Sequence, residues 1–509
     1  MMNFIFRGKF VLTDTGLGKK GLLDDSAVYV QNDTIKEIGK YQEIIQKYPD
    51  APVKGNGKQI LMPGLIDAHS HGSGLTPFQR GVKYDFLENY LIDSTGGFLL
   101  EPELNALMCG IRHLKKGCTT VHAIYNHINT DIARKTLRGF KKAGIRLAYS
   151  SGVNDKNKIT YDDEEFYKTL PAELQEKVHN IIFNDKKAFR DGFFEHFDDL
   201  YSKYNDDMSQ IIFGPLWVQG CSDEFLMSIK KKSSELGDIP IHIHTLQTPL
   251  QKAYGLKKYN KSLAFHLDDI GLIDKNIVLG HAVFLDQSDI ELLAEKNGSV
   301  THHASCNLVV RNGISPVALF VKAGINVALG IDDKSINDDE DPFMEMRMIY
   351  HLQRVAGFDL ENTPTLSSID VLNMPIINGA RVCNLENKIG AIKPGMKADM
   401  LLLDLERISQ QPWVSPKHDI FDLIISRAKG DDVNTVIVNG EIVIENYKFC
   451  QIDLDEVYNE VQNQVKSGNN HGNKKYAELL QELKPYIRSF YQKWDLPKLV
   501  PFYNMNSRI

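Results

Sequence analysis

The chain has 509 residues, of which 42% are hydrophobic and 25% charged, and its formal net charge at pH 7 is -7. This length predicts a large domain accompanied by a smaller one, and the composition is typical of a globular protein. The modest negative charge argues against a nucleic-acid partner and against binding to an anionic membrane surface.

The cysteines and the hydropathy of the chain indicate its cellular compartment. The 6 cysteines are scattered without Cys-x-x-Cys spacing, which predicts reduced thiols and a cytoplasmic protein. The first residues lack the apolar core and the cleavage site of a signal peptide. No stretch approaches the roughly 18 continuous apolar residues that a membrane span needs, so we predict no membrane partner.

Both ends of the chain predict β structure. Short strand-like runs separated by Gly, Asn and Asp occur near the start, at residues 4–6, 9–12, 27–30 and 34–38. The pattern resumes at residues 398–404 and 435–443. The last run contains Asn439-Gly440, a signal for a two-residue hairpin turn. We therefore predict one composite β-sandwich domain built from residues 1–60 and 385–450.

Residues 61–384 predict a barrel. Apolar, β-rich runs alternate there with helical patterns, at residues 65–71, 119–125, 146–151, 211–218, 239–245, 277–283, 299–305 and 325–332. Near-continuous apolar strands between helices are typical of a parallel sheet covered on both faces. Eight such units fit an α/β fold, the (β/α)8 TIM-type barrel, whose active site lies at the carboxyl ends of the strands.

Two segments fall outside this repeat. Residues 154–208 are long for one crossover, charged and rich in aromatics. We interpret them as a helical insertion, either a cap near the site or a plain surface addition. Residues 451–509 predict a helical C-terminal extension, which either caps the barrel or serves an oligomer interface.

Candidate ligands follow five of the predicted strands. The first strand ends in His69 and His71, the fifth has His242 and His244, the sixth ends in His281, the seventh has His302 and His303, and the eighth ends in Asp332. Residues spaced i, i+2 on a strand share a face. A lone histidine is more often an ordinary core or surface residue than a metal ligand. The occurrence of several histidines at successive strand ends, on one rim of the barrel, favours a metal site.

Three neutral imidazoles and one carboxylate suit Zn²⁺, with Fe²⁺ as the alternative. Such an ion lowers the pKa of its bound water and so makes a hydroxide nucleophile. Asp332 directly follows an apolar strand and is the candidate to take the water proton and pass it to the leaving group. We expect the neighbouring acids, among them Asp333 and Asp339, to be ordinary polar residues.

Several segments together resemble the amidohydrolase superfamily. They are PGLIDAHSH at 63–71, HIH at 242–244, LGH at 279–281, HHASCN at 302–307, LGID at 329–332 and PGMKAD at 394–399. They are most similar to its atrazine/triazine-hydrolase-like branch of chlorohydrolases and aminohydrolases. The resemblance covers about residues 1–445 and implies a metal-dependent barrel with a β-sandwich made from both chain ends.

The resemblance also implies roles for individual residues. Carried over by position, the metal ligands are His69, His71, His244 and Asp332. Asp332 and His281 would be the catalytic residues, with His281 contacting the hydroxide or the substrate. His302 and Asn307 would lie in the substrate pocket or support it, and His242 would support a ligand.

Two departures from the family pattern refine the prediction. The fourth strand ends Pro215-Leu216-Trp217-Val218-Gln219, without the lysine that bridges two metals in binuclear members, which favours one divalent ion. Gln247 stands where deaminases of the branch usually have glutamate. An amide can orient a substrate, but it cannot shuttle a proton at neutral pH.

Further substrate contacts are predicted from strand-end position. Gln79 lies downstream of His71, and Trp217 could stack on a flat ring. Asn126 and His127 follow the second strand. Together with Gln247, these residues would meet a small heterocyclic substrate.

The predicted function is metal-dependent hydrolysis of a non-peptide C–N bond in a nitrogen heterocycle, first of all hydrolytic deamination by a metal-bound hydroxide. The alternative is opening of a cyclic amide or displacement of a non-amine ring substituent, which Gln247 favours. A second alternative is a non-catalytic relative that binds a heterocycle. The family also implies a homo-oligomer, dimeric or larger.

Overall fold

Seventeen strands form three sheets in the computed structural model, which describes residues 3–355, 364–410 and 412–497. In chain order they are β1 (Asn3–Leu12), β2 (Leu22–Gln31), β3 (Thr34–Lys40), β4 (Val53–Lys54), β5 (Gln59–Pro63), β6 (Leu65–Ser70), β7 (Cys118–Tyr125), β8 (Arg146–Ser151), β9 (Ser209–Ile211), β10 (Ile241–Thr245), β11 (Ile277–His281), β12 (Ser299–His302), β13 (Asn326–Leu329), β14 (Met400–Asp404), β15 (Val433–Val438), β16 (Glu441–Glu445) and β17 (Lys448–Phe449).

Helices connect and cover these strands. They are α1 (Tyr41–Lys47), α2 (Leu87–Thr95), α3 (Pro102–Lys115), α4 (Thr130–Ala143), α5 (Asp163–Thr169), α6 (Ala172–Ile182), α7 (Lys186–Tyr204), α8 (Asp223–Glu235), α9 (Pro249–Tyr259), α10 (Leu263–Asp269), α11 (Gln287–Glu295), α12 (Ala304–Val309), α13 (Val317–Lys322), α14 (Pro342–Leu352), α15 (Ser368–Asn373), α16 (Gly379–Val382), α17 (Leu405–Ser409), α18 (Ile420–Arg427), α19 (Leu454–Ser467) and α20 (Lys474–Tyr491). In the described part of the chain, none is long and apolar enough to cross a membrane.

The two chain ends share one nine-stranded sheet in the order β17-β16-β15-β14-β5-β1-β2-β3, with β4 paired to β1. The seam between the ends is the antiparallel pair β5–β14, in which Leu61 faces Leu402. Asn439 and Gly440 both have positive φ, 51° and 80°, between β15 and β16. This is the hairpin that the Asn-Gly pair predicts.

Eight parallel strands form the barrel as two four-stranded sheets, β6-β7-β8-β9 and β10-β11-β12-β13. Every residue of β6, β8, β10, β11 and β12 is buried, as expected for strands covered on both sides. The prediction of a (β/α)8 barrel with a β domain from both chain ends is confirmed.

Single bridges close the barrel. Phe213 pairs with Ile241 and Trp217 with His244 at one seam, and the Asp332 N–H donates to the His69 carbonyl at the other, at 2.8 Å. The fourth strand is shorter than the predicted 211–218, since β9 ends at Ile211. Pro215 offers no backbone N–H, so a continuous ladder cannot run through it.

Three helices, α5 to α7, lie between β8 and β9, within the segment predicted as an insertion. The extension contains α19 and α20. Asn473 caps α20 by accepting a hydrogen bond from the Tyr476 N–H. The buried face of α20 carries Leu480, Leu483 and Ile487, which pack in one apolar cluster with residues of α2, α5 and α6.

Candidate metal centre

Three histidines converge where β6 and β10 end. The ligating nitrogens of His69, His71 and His244 lie within 4.8 Å of one another. His69 and His244 are buried, and His71 keeps 27% of its side chain exposed. His69 lies near the end of β6 and His71 directly follows the strand, and residues two apart in an extended chain present their side chains to the same face, which brings the two rings together.

Hydrogen bonds fix the tautomers of these rings. The Nδ1 atom of His71 lies 3.1 Å from the Ile124 carbonyl oxygen, and that of His244 lies 2.7 Å from the Leu216 carbonyl oxygen. A carbonyl only accepts, so both Nδ1 atoms carry the proton. Each Nε2 atom is therefore left with a lone pair for a metal ion.

His69 has the same arrangement through another histidine. Its Nδ1 atom lies 2.9 Å from Nε2 of His242, and its own buried Nε2 has no hydrogen-bond partner within the described chain. Burial lowers the pKa of His69, His242 and His244 well below the ordinary value. Neutral imidazoles with an unsatisfied buried nitrogen fit a divalent cation.

The Asp332 carboxylate faces this cluster. Its Oδ1 atom lies 3.2 Å from Nε2 of His71 and 3.8 Å from Nε2 of His69. Burial raises its pKa, but the charge of Lys334 at 2.9 Å and the contact with His71 outweigh that effect, and the pKa lies well below the usual range. Asp332 is thus ionised, as a metal ligand must be.

A second set of rings adjoins the same carboxylate. Nitrogens of His69, His281 and His303 and an oxygen of Asp332 also lie within 4.8 Å of one another. The Nδ1 atom of His281 lies 3.0 Å from Oδ1 of Asn307 and 2.9 Å from Nδ1 of His303. Because the amide oxygen accepts, His281 is protonated on Nδ1 and turns the lone pair of Nε2 toward Asp332, 3.7 Å away.

Two other carboxylates hold the backbone segments that carry the histidines and Asp332. Asp67, which is fully buried, accepts hydrogen bonds from the N–H groups of His69 and Ile331 and contacts Nε2 of His113 at 2.9 Å. Asp333 accepts from the Ser70 hydroxyl and from the N–H groups of His71 and Ser73. Both tie β6 to the loop after β13, so that His71 and Asp332 face each other.

Backbone strain marks the same strand ends. His281 and Ala282 have φ of 69° and 50°, and Asp332 and Asp333 have φ of 59° and 52°. Left-handed conformations are uncommon for residues other than glycine, and they concentrate at functional sites. Here they turn the chain sharply at the ends of β11 and β13.

The predicted substrate residues lie in different surroundings. Gln247 is buried, and its N–H donates to Oε1 of Gln251 at 2.7 Å. The Trp217 ring lies perpendicular to that of His244, with centroids 6.5 Å apart. The His302 ring is buried, and neither nitrogen has a hydrogen-bond partner among residues the structure describes. Burial lowers its pKa to about 3.

Gln79 lines a different cavity from Trp217. This cavity measures about 490 Å³ and is shared with Arg112 and Lys116, and the Gln79 side chain accepts a hydrogen bond from the Thr76 N–H. The substrate roles of Gln79, Gln247, His302, Asn307 and Trp217 stay predictions.

Two cavities lie near the histidine cluster, one bordered by His71 itself and one by Trp217, whose ring lies against that of His244. One of about 320 Å³ is lined by His71, and another of about 410 Å³ is lined by Trp217 and Glu88. Asn126 and His127 line both.

Some site residues escaped the sequence reasoning. Asp333 was expected to be an ordinary acid, which is wrong: it is buried and binds the loop that carries His71. The role of Lys334 could have been predicted from the sequence, since a lysine two residues after a candidate carboxylate ligand can form an ion pair with it. No sequence pattern indicates the position of Glu88, because that position depends on how α2 packs.

Comparisons with known proteins agree with this geometry. A model of the amidohydrolase family matches residues 60–443. A 5-methylthioadenosine/S-adenosylhomocysteine deaminase of Thermodesulfovibrio yellowstonii is 30% identical, over 89% of this chain and 96% of that protein. A 5'-deoxyadenosine deaminase of Methanosarcina mazei is 28% identical, over 91% of this chain and 97% of its own.

Solved structures share the fold. A zinc-bound adenosine deaminase from Xanthomonas campestris superposes with a TM-score of 0.71 at 21% identity, covering 92% of this chain and 98% of its own. The atrazine chlorohydrolase TrzN from Arthrobacter aurescens TC1, complexed with zinc, superposes with a TM-score of 0.74 at 19% identity. The match covers 90% of this chain and 99% of that chain.

Proposed function

The chain belongs to the amidohydrolase family, and from that premise we propose that it is a divalent-metal-dependent hydrolase that removes an amino group from a purine-type heterocycle. The observation that carries this proposal is the cluster of His69, His71 and His244, beside which the ionised Asp332 lies 3.2 Å from His71 and 3.8 Å from His69. The deaminase relatives match along nearly their whole lengths, which supports the choice of reaction.

We propose one ion, Zn²⁺, held by His69, His71, His244 and Asp332. Nitrogen and carboxylate donors of this kind suit zinc, and the end of the fourth strand offers Trp217 and no lysine that could hold a second ion. When bound, the ion would supply a water of lowered pKa at neutral pH.

The protein groups would then handle the proton and the substrate. Asp332 accepts a proton as an ionised carboxylate and returns it to the departing amine. His281, protonated on Nδ1 and held by Asn307, directs a nitrogen lone pair into the site and orients a donor on the substrate. Gln247 would hydrogen-bond the ring through its amide, and Trp217 would pack against its face.

The test combines metal analysis with an ammonia-release screen of the full chain over adenine, adenosine, 5'-deoxyadenosine, 5'-methylthioadenosine and S-adenosylhomocysteine. We expect about one zinc per chain and release of ammonia from at least one compound. Asp332→Asn should lower kcat/KM by roughly 10²–10⁴-fold, the usual contribution of a positioned acid/base group. Asp431→Asn, at an exposed carboxylate, is the matched control. Metal-free protein, or an active Asp332→Asn, would contradict the proposal.

A second candidate is hydrolysis in which the leaving group is not an amine, or ring opening of a cyclic amide. Gln247 favours it, since a neutral amide donates and accepts hydrogen bonds but carries no transferable proton. Mass spectrometry separates the two reactions, because ring opening adds one water and releases no ammonia.

Cellular setting and assembly are part of the same proposal. We propose a cytoplasmic homo-oligomer on the strength of the family and of the six free cysteines, five of them buried. Light scattering of the purified chain measures the oligomeric state.

A further inference from the structure

The cavity that Trp217 shares with Glu88 is walled on one side by the C-terminal helix α20. The helix contributes four side chains to the lining: Tyr476, Leu480, Ile487 and Tyr491. Helix α2 contributes others, including Glu88. Helix α20 therefore shares a cavity with Trp217, whose ring lies against that of His244.

Specific contacts hold α20 in this place. Lys484 Nζ lies 2.6 and 2.8 Å from the two carboxylate oxygens of Asp93 on α2. The Tyr491 hydroxyl accepts a hydrogen bond from the Tyr161 N–H at 3.0 Å. The Tyr161 ring stands perpendicular to Trp217, with centroids 6.2 Å apart. The wall is thus fixed relative to Trp217, which contacts His244.

Polar groups with spare hydrogen-bonding capacity line the same cavity. Glu88 Oε1 accepts from the Thr248 and Tyr161 hydroxyls, at 2.8 and 3.0 Å, which uses two of about four acceptor positions of a carboxylate. Neither ring nitrogen of His127 has a partner in the described parts of the chain. Buried polar groups without partners call for a ligand or water.

The lining also defines the chemistry of the occupant. Apolar and aromatic side chains with a few convergent polar groups are typical of a small-molecule site. Glu88 and Lys158 both line the cavity, so their opposite charges favour an uncharged occupant. Trp217 lines the cavity and pairs through its backbone with His244, so the cavity adjoins the predicted reaction site.

Resting on the proposed function, we propose that this cavity binds the non-reacting substituent of the heterocyclic substrate and that α20 is its specificity-determining wall. The substituent is uncharged, apolar in its outer part, and carries a hydrogen-bond donor for Glu88. His127 is its second polar contact. The C-terminal extension is on this view part of the substrate site.

The test is a substitution on α20 that fills the cavity with a larger side chain. Ile487→Trp places a bulky ring in it, and Ser489→Trp adds the same ring on the exposed face of the same helix. The probes are 5'-methylthioadenosine, which carries an apolar substituent, and adenine, which carries none. We expect Ile487→Trp to weaken equilibrium binding of 5'-methylthioadenosine, measured by calorimetry, about tenfold or more, since single methylenes in such pockets are worth roughly 10–200-fold.

The same variant should change adenine turnover less than about twofold, and Ser489→Trp should leave both probes unaffected. If Ile487→Trp fails to fold by its thermal midpoint, Leu480→Ala provides the test, with about tenfold weaker binding of 5'-methylthioadenosine expected. Equal effects on both probes, or no binding of 5'-methylthioadenosine by the wild type, would overturn the inference. Binding without any ammonia release would instead overturn the proposed function alone.

Discussion

Asp333 is a carboxylate that would support the proposed metal site without being one of its proposed ligands. It is buried, and three donors around His71 point to it. Residues that orient ligands in this way are worth 10–100-fold in metal affinity. The distinction between Asp332, which faces the histidines, and Asp333, which holds their loop, comes from the two left-handed residues that end β13.

Asp333→Asn is therefore expected to weaken metal affinity by roughly 10–100-fold while leaving the ligands in place. The amide has one acceptor oxygen where the carboxylate has two, so the Ser70 hydroxyl can no longer donate at the Oδ1 position, and the negative charge beside His71 is lost. Competition with a chelating dye measures the affinity. Asp339→Asn removes an acid from the same segment, at a more exposed position, and should not alter it. Equal affinities in all three proteins would contradict the assignment.

At the scale of elements, α12 and α14 are joined through a buried carboxyl group. Glu345 on α14 contacts the Ser305 N–H and hydroxyl on α12, at 2.8 and 2.5 Å. Burial raises the pKa of Glu345 to about 8 from the ordinary 4.5. Burial penalises the carboxylate charge and so favours the neutral acid, although the Ser305 N–H and hydroxyl both donate to Glu345 and favour its ionised form.

This pKa gives the stability a pH dependence. Between about pH 4.5 and pH 8 the folded state keeps the Glu345 proton and the unfolded state releases it. The free energy of unfolding therefore falls as the pH rises through this window, by up to about 1.4 kcal/mol per pH unit. The Glu345→Gln side chain stays neutral throughout. We therefore expect the thermal unfolding midpoint of the variant, relative to that of the wild type, to rise as the pH rises. If the midpoints of the variant and the wild type change in parallel with pH, this prediction is wrong. Glu478→Gln, at an exposed site, is the control.

At the scale of the whole molecule, one buried ion pair joins the β domain to the barrel. Arg146 on β8 places Nε and Nη2 2.9 and 2.7 Å from Oδ2 of Asp399, just before β14. Both side chains are almost fully buried. The other oxygen of Asp399 accepts from the Asn439 N–H in the β15–β16 hairpin.

Removing the arginine leaves a buried charge without compensation, which costs about 3–5 kcal/mol. Arg146→Met should therefore lower the thermal unfolding midpoint markedly in calorimetry. Lys187→Met breaks an exposed ion pair with Asp191, which should cost no more than about 0.5 kcal/mol. The assignment fails if the two variants melt alike.

Much of this architecture is predictable from sequence because periodic burial and strand-end residues are local signals. The barrel, the two-ended β domain and the clustering of His69, His71 and His244 all follow from such patterns. Glu88 and Asp333 were missed because their surroundings form only when distant segments meet. The fourth strand was overestimated, since an apolar run does not reveal how Pro215 interrupts pairing. The domain limits and the roles of the site residues stay predictions.

The hydrogen bond from Asp332 to the His69 carbonyl has a consequence for biogenesis. The first and last barrel strands meet through it, so the carboxylate reaches the histidines only when the barrel closes. A nascent chain that has emerged as far as β10 already carries three of the proposed ligands, His69, His71 and His244, but lacks the fourth, Asp332. The proposed hydrolytic centre is therefore completed late in synthesis, and we expect barrel fragments that end before β13 to lack Asp332, the proposed acid/base group.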